Sequence, residues 1–249
     1  MSKIMIIFGS ESDHHVYDEV IHSIRDKAEH ELEIASAHRT PERVEQIAKD
    51  KDSDVFITGA GLAAALPGVV ASKTIKPVIG VPVQSNYQGL DALLSIAQMP
   101  PGIPVLAVGV DKADIAGENA VKMLKPYTRI TIIGDENNKA VRKAKEIFDK
   151  FKIKYNLAQK PDKETINIEF VYFDEPIEKK DELVIYCPLL LKDDDRAEAA
   201  LNLLKHSSHG LWVGLNRGEN AALAAIEILN LNNKYTDQLL EHRQRMKKR

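Results

Sequence analysis

The chain is 249 residues long, enough for one large domain or two of ordinary size. Hydrophobic residues make up 44% and charged residues 29%, a balance that builds a core and excludes a disordered chain. The formal net charge of -3 gives no overall positive field, which argues against nucleic acid or an anionic membrane surface as a partner. The longest apolar runs fall short of a bilayer span. The start, Met1-Ser2-Lys3-Ile4-Met5-Ile6-Ile7-Phe8, has no cleavage region and runs into a strand-like segment. With Cys187 alone, no intrachain disulfide can form. The expectation is a cytoplasmic protein. Cys187 sits among Val184, Ile185, Tyr186 and Leu189, so it reads as a small buried strand residue in preference to a reactive thiol.

Short apolar runs alternate with amphipathic stretches. Residues 4–8 read as a strand and 13–27 as a helix; 32–35 as a strand and 41–49 as a helix. Residues 55–58 form a third strand, followed by small residues over 63–72. A fourth strand at 78–81 precedes a helix at 90–97, and a fifth at 104–108 precedes a helix at 113–124. This alternation predicts parallel pairing in a doubly wound sheet with helices on both faces.

The pattern restarts after Lys125-Pro126-Tyr127. Arg129-Ile130-Thr131-Ile132-Ile133-Gly134 echoes Lys3-Ile4-Met5-Ile6-Ile7-Phe8-Gly9, and a helical pattern follows at 139–151. Phe170-Val171-Tyr172-Phe173-Asp174-Glu175-Pro176 takes the place of Ala35-Ser36-Ala37-His38-Arg39-Thr40-Pro41. Gly117-Glu118-Asn119-Ala120 returns as Gly218-Glu219-Asn220-Ala221, each read as opening a helix. The expectation is a tandem duplication, residues 1–126 and 127–249, with two unrelated α/β domains as the alternative. The tail from Asn232 reads as a last helix whose His242, Arg243, Arg245, Lys247, Lys248 and Arg249 suit a helix C-terminus better than a nucleic-acid arm.

Ligands of open parallel sheets bind beyond the carboxyl ends of the strands, so the segments leaving strands one to three are the candidates. Gly9-Ser10-Glu11-Ser12-Asp13 links a strand to a helix, where free amides and two hydroxyls suit a phosphate and Asp13 suits a ribose diol. Helix capping by Ser12 or Asp13 is the structural alternative. In Ser36-Ala37-His38-Arg39-Thr40-Pro41, His38 is a general acid/base that titrates near neutrality. Arg39 can hold a carboxylate or phosphate by two parallel hydrogen bonds. Gly59-Ala60-Gly61-Leu62-Ala63-Ala64-Ala65-Leu66-Pro67-Gly68 lets backbone approach a ligand or, alternatively, lets helix pack on sheet. Metal-ligand spacing, a GxxxxGK[ST] loop and a GxSxG turn are absent, and His14-His15 and His206 with His209 form no metal set.

These segments resemble the 5-(carboxyamino)imidazole ribonucleotide mutase family. Its motifs GSxSD, SAHRTP, GAGxAAxLPG, PVIGVPV and LLSIxQMPxGIPV fall in order at residues 9–13, 36–41, 59–68, 77–83 and 93–105. The resemblance implies a three-layer αβα, flavodoxin-like fold and conversion of 5-(carboxyamino)imidazole ribonucleotide to 4-carboxy-5-aminoimidazole ribonucleotide, a step of purine biosynthesis needing no metal or other cofactor. It implies His38 as the catalytic acid/base. Ser10, Ser12 and Asp13 would bind the ribose phosphate, Ser36 and Arg39 would hold the substrate, and a loop with Ala60, Gly61 and Leu66 would close over it. A homo-oligomer is implied, with four double-length chains matching the family's octamer of single domains.

Three features depart from the family. Ala65 stands where most members have histidine, residues 111–117 lack the usual glycine-alanine run, and the long C-terminal helix follows only the second copy. That copy is expected to be structural, packed where a neighbouring subunit would sit. Gly134-Asp135-Glu136-Asn137-Asn138 replaces GSxSD with two carboxylates that would repel a phosphate, and Phe173 and Asp174 stand for His38 and Arg39. Two rival readings remain: a carboxylase adding free carbon dioxide to aminoimidazole ribonucleotide, and a non-catalytic nucleotide-binding assembly protein.

Overall fold

A computed structural model describes residues 2–50, 52–174, 177–191 and 194–247. Met1 of the initial segment, Glu175 and Pro176 of the second-half echo, and Lys248 and Arg249 of the basic tail lie outside the described residues.

The first half follows the predicted alternation. Strands β1 (Lys3–Phe8), β2 (Glu29–Ile34), β3 (Ser53–Ala60), β4 (Val78–Pro82) and β5 (Leu106–Ala107) are each followed by a helix: α1 (His14–Ile24), α2 (Pro41–Ala48), α3 (Leu66–Lys73), α4 (Leu90–Ala97) and α5 (Ala113–Met123). The second half contributes β6 (Ile130–Ile133), α6 (Lys139–Phe151), β7 (Tyr155–Ala158), β8 (Ile166–Val171), β9 (Val184–Pro188), α7 (Arg196–His206), β10 (Leu211–Trp212), α8 (Gly218–Leu229) and α9 (Thr236–Met246). All ten strands form one sheet in the order β2-β1-β3-β4-β5-β10-β9-β8-β6-β7. Each half runs 2-1-3-4-5, the flavodoxin-like order. Pairing is parallel except where Trp212 of β10 meets Ala107 of β5 antiparallel. The halves are therefore joined edge to edge, and their strand carboxyl ends point in opposite directions.

The β5–α5 and β10–α8 corners match bond for bond. Asp111 and Asn216 both take φ +56°. Their N–H groups donate to Pro82 O and Pro188 O, and their side chains accept from Gln84 N and Leu190 N. Lys112 and Arg217 then immediately precede α5 and α8 with nearly the same backbone angles. This register places Gly218 opposite Ala113. Gly218 opens α8, whereas Gly117 lies one turn inside α5, so the expectation that both Gly-Glu-Asn-Ala segments open helices holds only for the second. Asn220 spends its amide on the other half of the chain, accepting from Gly102 N at 2.7 Å and donating to Pro100 O at 3.0 Å.

The halves differ in what covers the sheet. One face is buried throughout, under α1, α5, α6 and α8, and α8 is buried on every side, as its nearly continuous apolar run requires. The other face carries α2, α3, α4 and α7. No described residue forms a helix between β7 and β8 or between β8 and β9. The strands there alternate accordingly. Ile130 and Ile132, and Ile166 and Ile168, enter the covered face, while Thr131 and Asn167 turn to the other. Thr165 Oγ1 donates to Thr131 Oγ1 at 2.9 Å, and Asn167 Nδ2 donates to Asp162 O at 2.9 Å, so a loop hydrogen-bonded to buried polar groups replaces a helix.

The second-half echo needs correcting. Phe170 and Val171 end β8, which pairs with β6 and β9 and is third in its sheet order. Phe173 and Asp174 thus follow a third strand, where the first half has the Gly61 loop, and they are not counterparts of His38 and Arg39. Strand β7 matches β2. Cys187 lies in β9, fully buried, and that burial pushes its thiol well above the ordinary range. No described helix is long and apolar enough to cross a membrane.

Candidate active site

The sheet register brings the segments leaving β1, β2 and β3 to one edge. Phe8 lies opposite both Ile34 and Gly59. Ala35 N donates to Phe8 O at 2.9 Å and Gly9 N to Gly59 O at 3.1 Å. A Cβ on Gly9 would lie 3.9 Å from that of Ala60. Ser10 has extended backbone and opens a short 3-10 turn, residues 11–13, before α1. Its Oγ accepts from Ser12 N at 3.3 Å and from Ser12 Oγ at 2.9 Å. Asp13 precedes α1 without capping it by its side chain. Burial pushes the Asp13 carboxyl above its ordinary value; Asp111 adds to this, while Ser12 and His15 oppose it.

The second segment folds on itself. Thr40 Oγ1 accepts from Ser36 N at 2.9 Å, and Ser36 Oγ accepts from Arg39 N at 3.3 Å. Thr40 is therefore committed backwards, and Pro41 alone pre-sets the start of α2. This turn carries Arg39 over the first segment, where its Nη2 donates to Gly9 O at 2.8 Å. His38 is exposed and makes no hydrogen bond to any described residue, so both ring nitrogens are open to a ligand.

The third segment is strained. Leu62 and Ala63 hold φ +44° and +50°, left-handed values that cost a side-chain-bearing residue about 1–2 kcal/mol each. Two ties from beyond β4 hold them: Leu62 N donates to Ser85 Oγ at 3.2 Å, and Ala63 N to Asp91 Oδ2 at 2.9 Å. Tyr87, Gln88 and Gly89 are also left-handed, so a fourth segment completes the mouth. Ser85, Asp91 and Asp111 are site-forming residues that sequence reasoning missed. The signal was available: 84–89 leaves a fourth strand at the same carboxyl edge and is rich in turn residues.

Of the predicted residues, Ser10, Ser12, Asp13, Ser36, His38, Arg39, Ala60 and Gly61 gather at this edge. Leu66 does not. It is 2% exposed, opens α3 and packs in the core beneath the loop, because Pro67 and the helix turn it inward. Gly59 also has a packing role: a Cβ there would fall 2.1 Å from the Phe8 ring. The mouth is open, with Leu62 65% and Tyr87 80% exposed at its rim. Among the described residues no His, Cys, Asp or Glu cluster could hold a metal ion.

A profile of the AIR carboxylase family matches residues 3–131. An N5-carboxyaminoimidazole ribonucleotide mutase of Methanocaldococcus jannaschii is 55% identical over 122 residues, which are 49% of this chain and 78% of that protein. One of Pyrococcus abyssi is 49% identical over 129 residues, 50% of this chain and 74% of that protein. One of Thermotoga maritima is 41% identical over 157 residues, 61% of this chain and 86% of that protein.

Proposed function

The chain belongs to the AIR carboxylase family, and on that footing we propose that it is an N5-carboxyaminoimidazole ribonucleotide mutase, an isomerase of purine biosynthesis. The observation that carries this reading is the convergence of an imidazole, a guanidinium and a hydroxyl-lined turn at one sheet edge, pinned by the Arg39–Gly9 hydrogen bond. Ser10 and Ser12 offer hydroxyls to the substrate phosphate, Asp13 accepts from the ribose diol, and Ser36 and Arg39 hold the polar edge of the substrate. The loop that carries the strained Leu62 and Ala63 closes over the reacting ring.

The reaction breaks a carbon–nitrogen bond and makes a carbon–carbon bond. His38 donates a proton to the nitrogen as carbon dioxide leaves, and the freed molecule stays between the ring and the small-residue loop. Carbon-4 of the ring then attacks it, and His38 takes the displaced ring proton, returning to its starting state. Exclusion of water keeps carbon dioxide from being lost. The test is turnover of 5-(carboxyamino)imidazole ribonucleotide by wild type and by His38→Asn. The expected result is loss of turnover with nucleotide binding retained; near-native turnover by the variant refutes the role of His38. Dependence on added bicarbonate with aminoimidazole ribonucleotide as substrate would favour the carboxylase reading.

The matched β5 and β10 corners and the shared 2-1-3-4-5 order support a tandem duplication, residues 1–126 catalytic and 127–249 derived from a second copy. The family resemblance is the basis for reading the chain as a cytoplasmic homo-oligomer of four chains, and the exposed Leu62 and Tyr87 offer apolar surface to a neighbouring chain. A native mass equal to one chain refutes that assembly.

A further inference from the structure

The second half, with Leu94 and Gln98 at the end of α4, encloses a cavity of about 680 Å³, a size suited to a nucleotide or similar small molecule. It lies beyond the carboxyl ends of β6, β9 and β10, the edge of the sheet opposite the one that carries His38. Four cations line it: Lys139 and Lys143 of α6, Arg196 of α7, and Arg217 before α8. Glu219 answers two of them, Lys143 at 3.4 Å and Arg217 at 3.7 Å. Among the described residues no carboxylate pairs with Lys139 or Arg196. Arg217 Nε is buried without a partner.

The positions of these cations are the informative feature. Lys139 and Arg196 are the first residues of their helices and Arg217 directly precedes a third. A helix N-terminus carries positive partial charge, so cations there oppose the dipole instead of complementing it. Asp195 caps α7, accepting from Ala197 N and Glu198 N, and Glu219 lies in the first turn of α8, whereas α6 has no acidic residue in its first turn and is capped by the neutral Asn138, so the positive end beside Lys139 is the one left for an anion. The carboxylates expected to repel a phosphate are engaged elsewhere: Glu136 pairs with Lys145 at 2.7 Å, and Asp135 accepts from Asn137 N at 2.9 Å. Leu94, Leu190 and Leu215 add an apolar part to the cavity lining.

We propose that this cavity is a second small-molecule site, for a ligand that carries a phosphate group on a body of nucleotide size. The site does not depend on the mutase reading, since none of its residues belongs to the His38 edge. It is tested by calorimetric titration of the full chain with two probes, inorganic phosphate and adenosine 5′-monophosphate, at low salt. Wild type, Lys139→Ala/Arg196→Ala, the charge-preserving Lys139→Arg/Arg196→Lys, and Arg39→Ala are compared. The expected result is binding that survives Arg39→Ala, weakens at least tenfold in the double alanine variant and persists in the charge-preserving one. Adenosine 5′-monophosphate should bind at least tenfold more tightly than phosphate, because the apolar part of the lining contacts its body. Phosphate should raise the melting temperature of wild type and not of the double alanine variant, which melts no lower than wild type without ligand. Equal affinity in wild type and double alanine variant, loss of all binding in Arg39→Ala, or no binding of either probe overturns the site. Equal affinity for the two probes overturns its nucleotide size.

Discussion

Removing Arg243 should loosen the C-terminal helix in a pH-dependent way. Arg243 of α9 donates to Glu227 of α8 at 2.9 Å and to Thr74 O at 3.4 Å, fastening both second-half helices to the first half. The side chains are 13% and 2% exposed, so solvent screens the pair weakly. Burial pushes the Glu227 carboxyl up to about 7, against an opposing pull from Arg243. Between the ordinary value of 4.5 and about 7, the folded chain holds a proton that the unfolded chain has lost. Wild-type stability from this group therefore falls as pH rises through that window, by about 3 kcal/mol in all. In Arg243→Met the carboxyl stays neutral, and the charge part of the loss begins near pH 7 and grows by about 1.4 kcal/mol per pH unit. The hydrogen bonds of the guanidinium add a pH-independent loss of about 1.5 kcal/mol. The total at pH 8 is about 3 kcal/mol, the low end for breaking a buried pair. Urea unfolding followed by the fluorescence of Trp212, which is fully buried, measures it at pH 5.5 and 8. Glu227→Leu/Arg243→Met should recover most of the loss at pH 8, because no unpaired charge remains. Equal losses at the two pH values would show that Arg243 acts through packing alone and refute the electrostatic account.

Asp91→Ala removes the acceptor for Ala63 N and frees the left-handed Leu62–Ala63 pair. Hydrogen exchange over residues 61–65 should accelerate at least tenfold, with a higher KM in the mutase assay, while Asp91→Asn, which keeps an acceptor oxygen, should retain most of both. Gly59→Ala forces a methyl into the Phe8 ring, 2.1 Å away, and overpacking of this kind costs about 1–3 kcal/mol. The melting temperature should fall accordingly and partly recover in Phe8→Leu/Gly59→Ala; an unchanged melting temperature would contradict the packing role of Gly59.

The legible parts of the sequence are those set by local chemistry. Helices α4 and α6 match their predicted limits, because turn residues bound each apolar pattern. Three candidate segments share one edge because parallel strands joined by right-handed crossovers leave all their carboxyl ends on the same side. What sequence reasoning missed depends on long-range register. Asp91 and Asp111 hold the site through backbone amides 28 and 27 residues away, a pairing that no local pattern specifies. The Phe173 echo misled because it counted segments from β6 and passed over β7, whose four residues are mostly exposed and carry little apolar signal. The alternation in Ile130-Thr131-Ile132 and Ile166-Asn167-Ile168 was the better guide. Both faces of these strands are buried, yet Thr131 and Asn167 call for the hydrogen bonds that a loop supplies on the side where the described residues place no helix after β7 or β8. That thinning accounts for a chain with two sheets' worth of strands and yet fewer helices in its second half. The first half keeps the full set of crossovers that position His38 and Arg39. Among its described residues the second half has no helix after β7 or β8, and the starts of its α6, α7 and α8 line the cationic cavity.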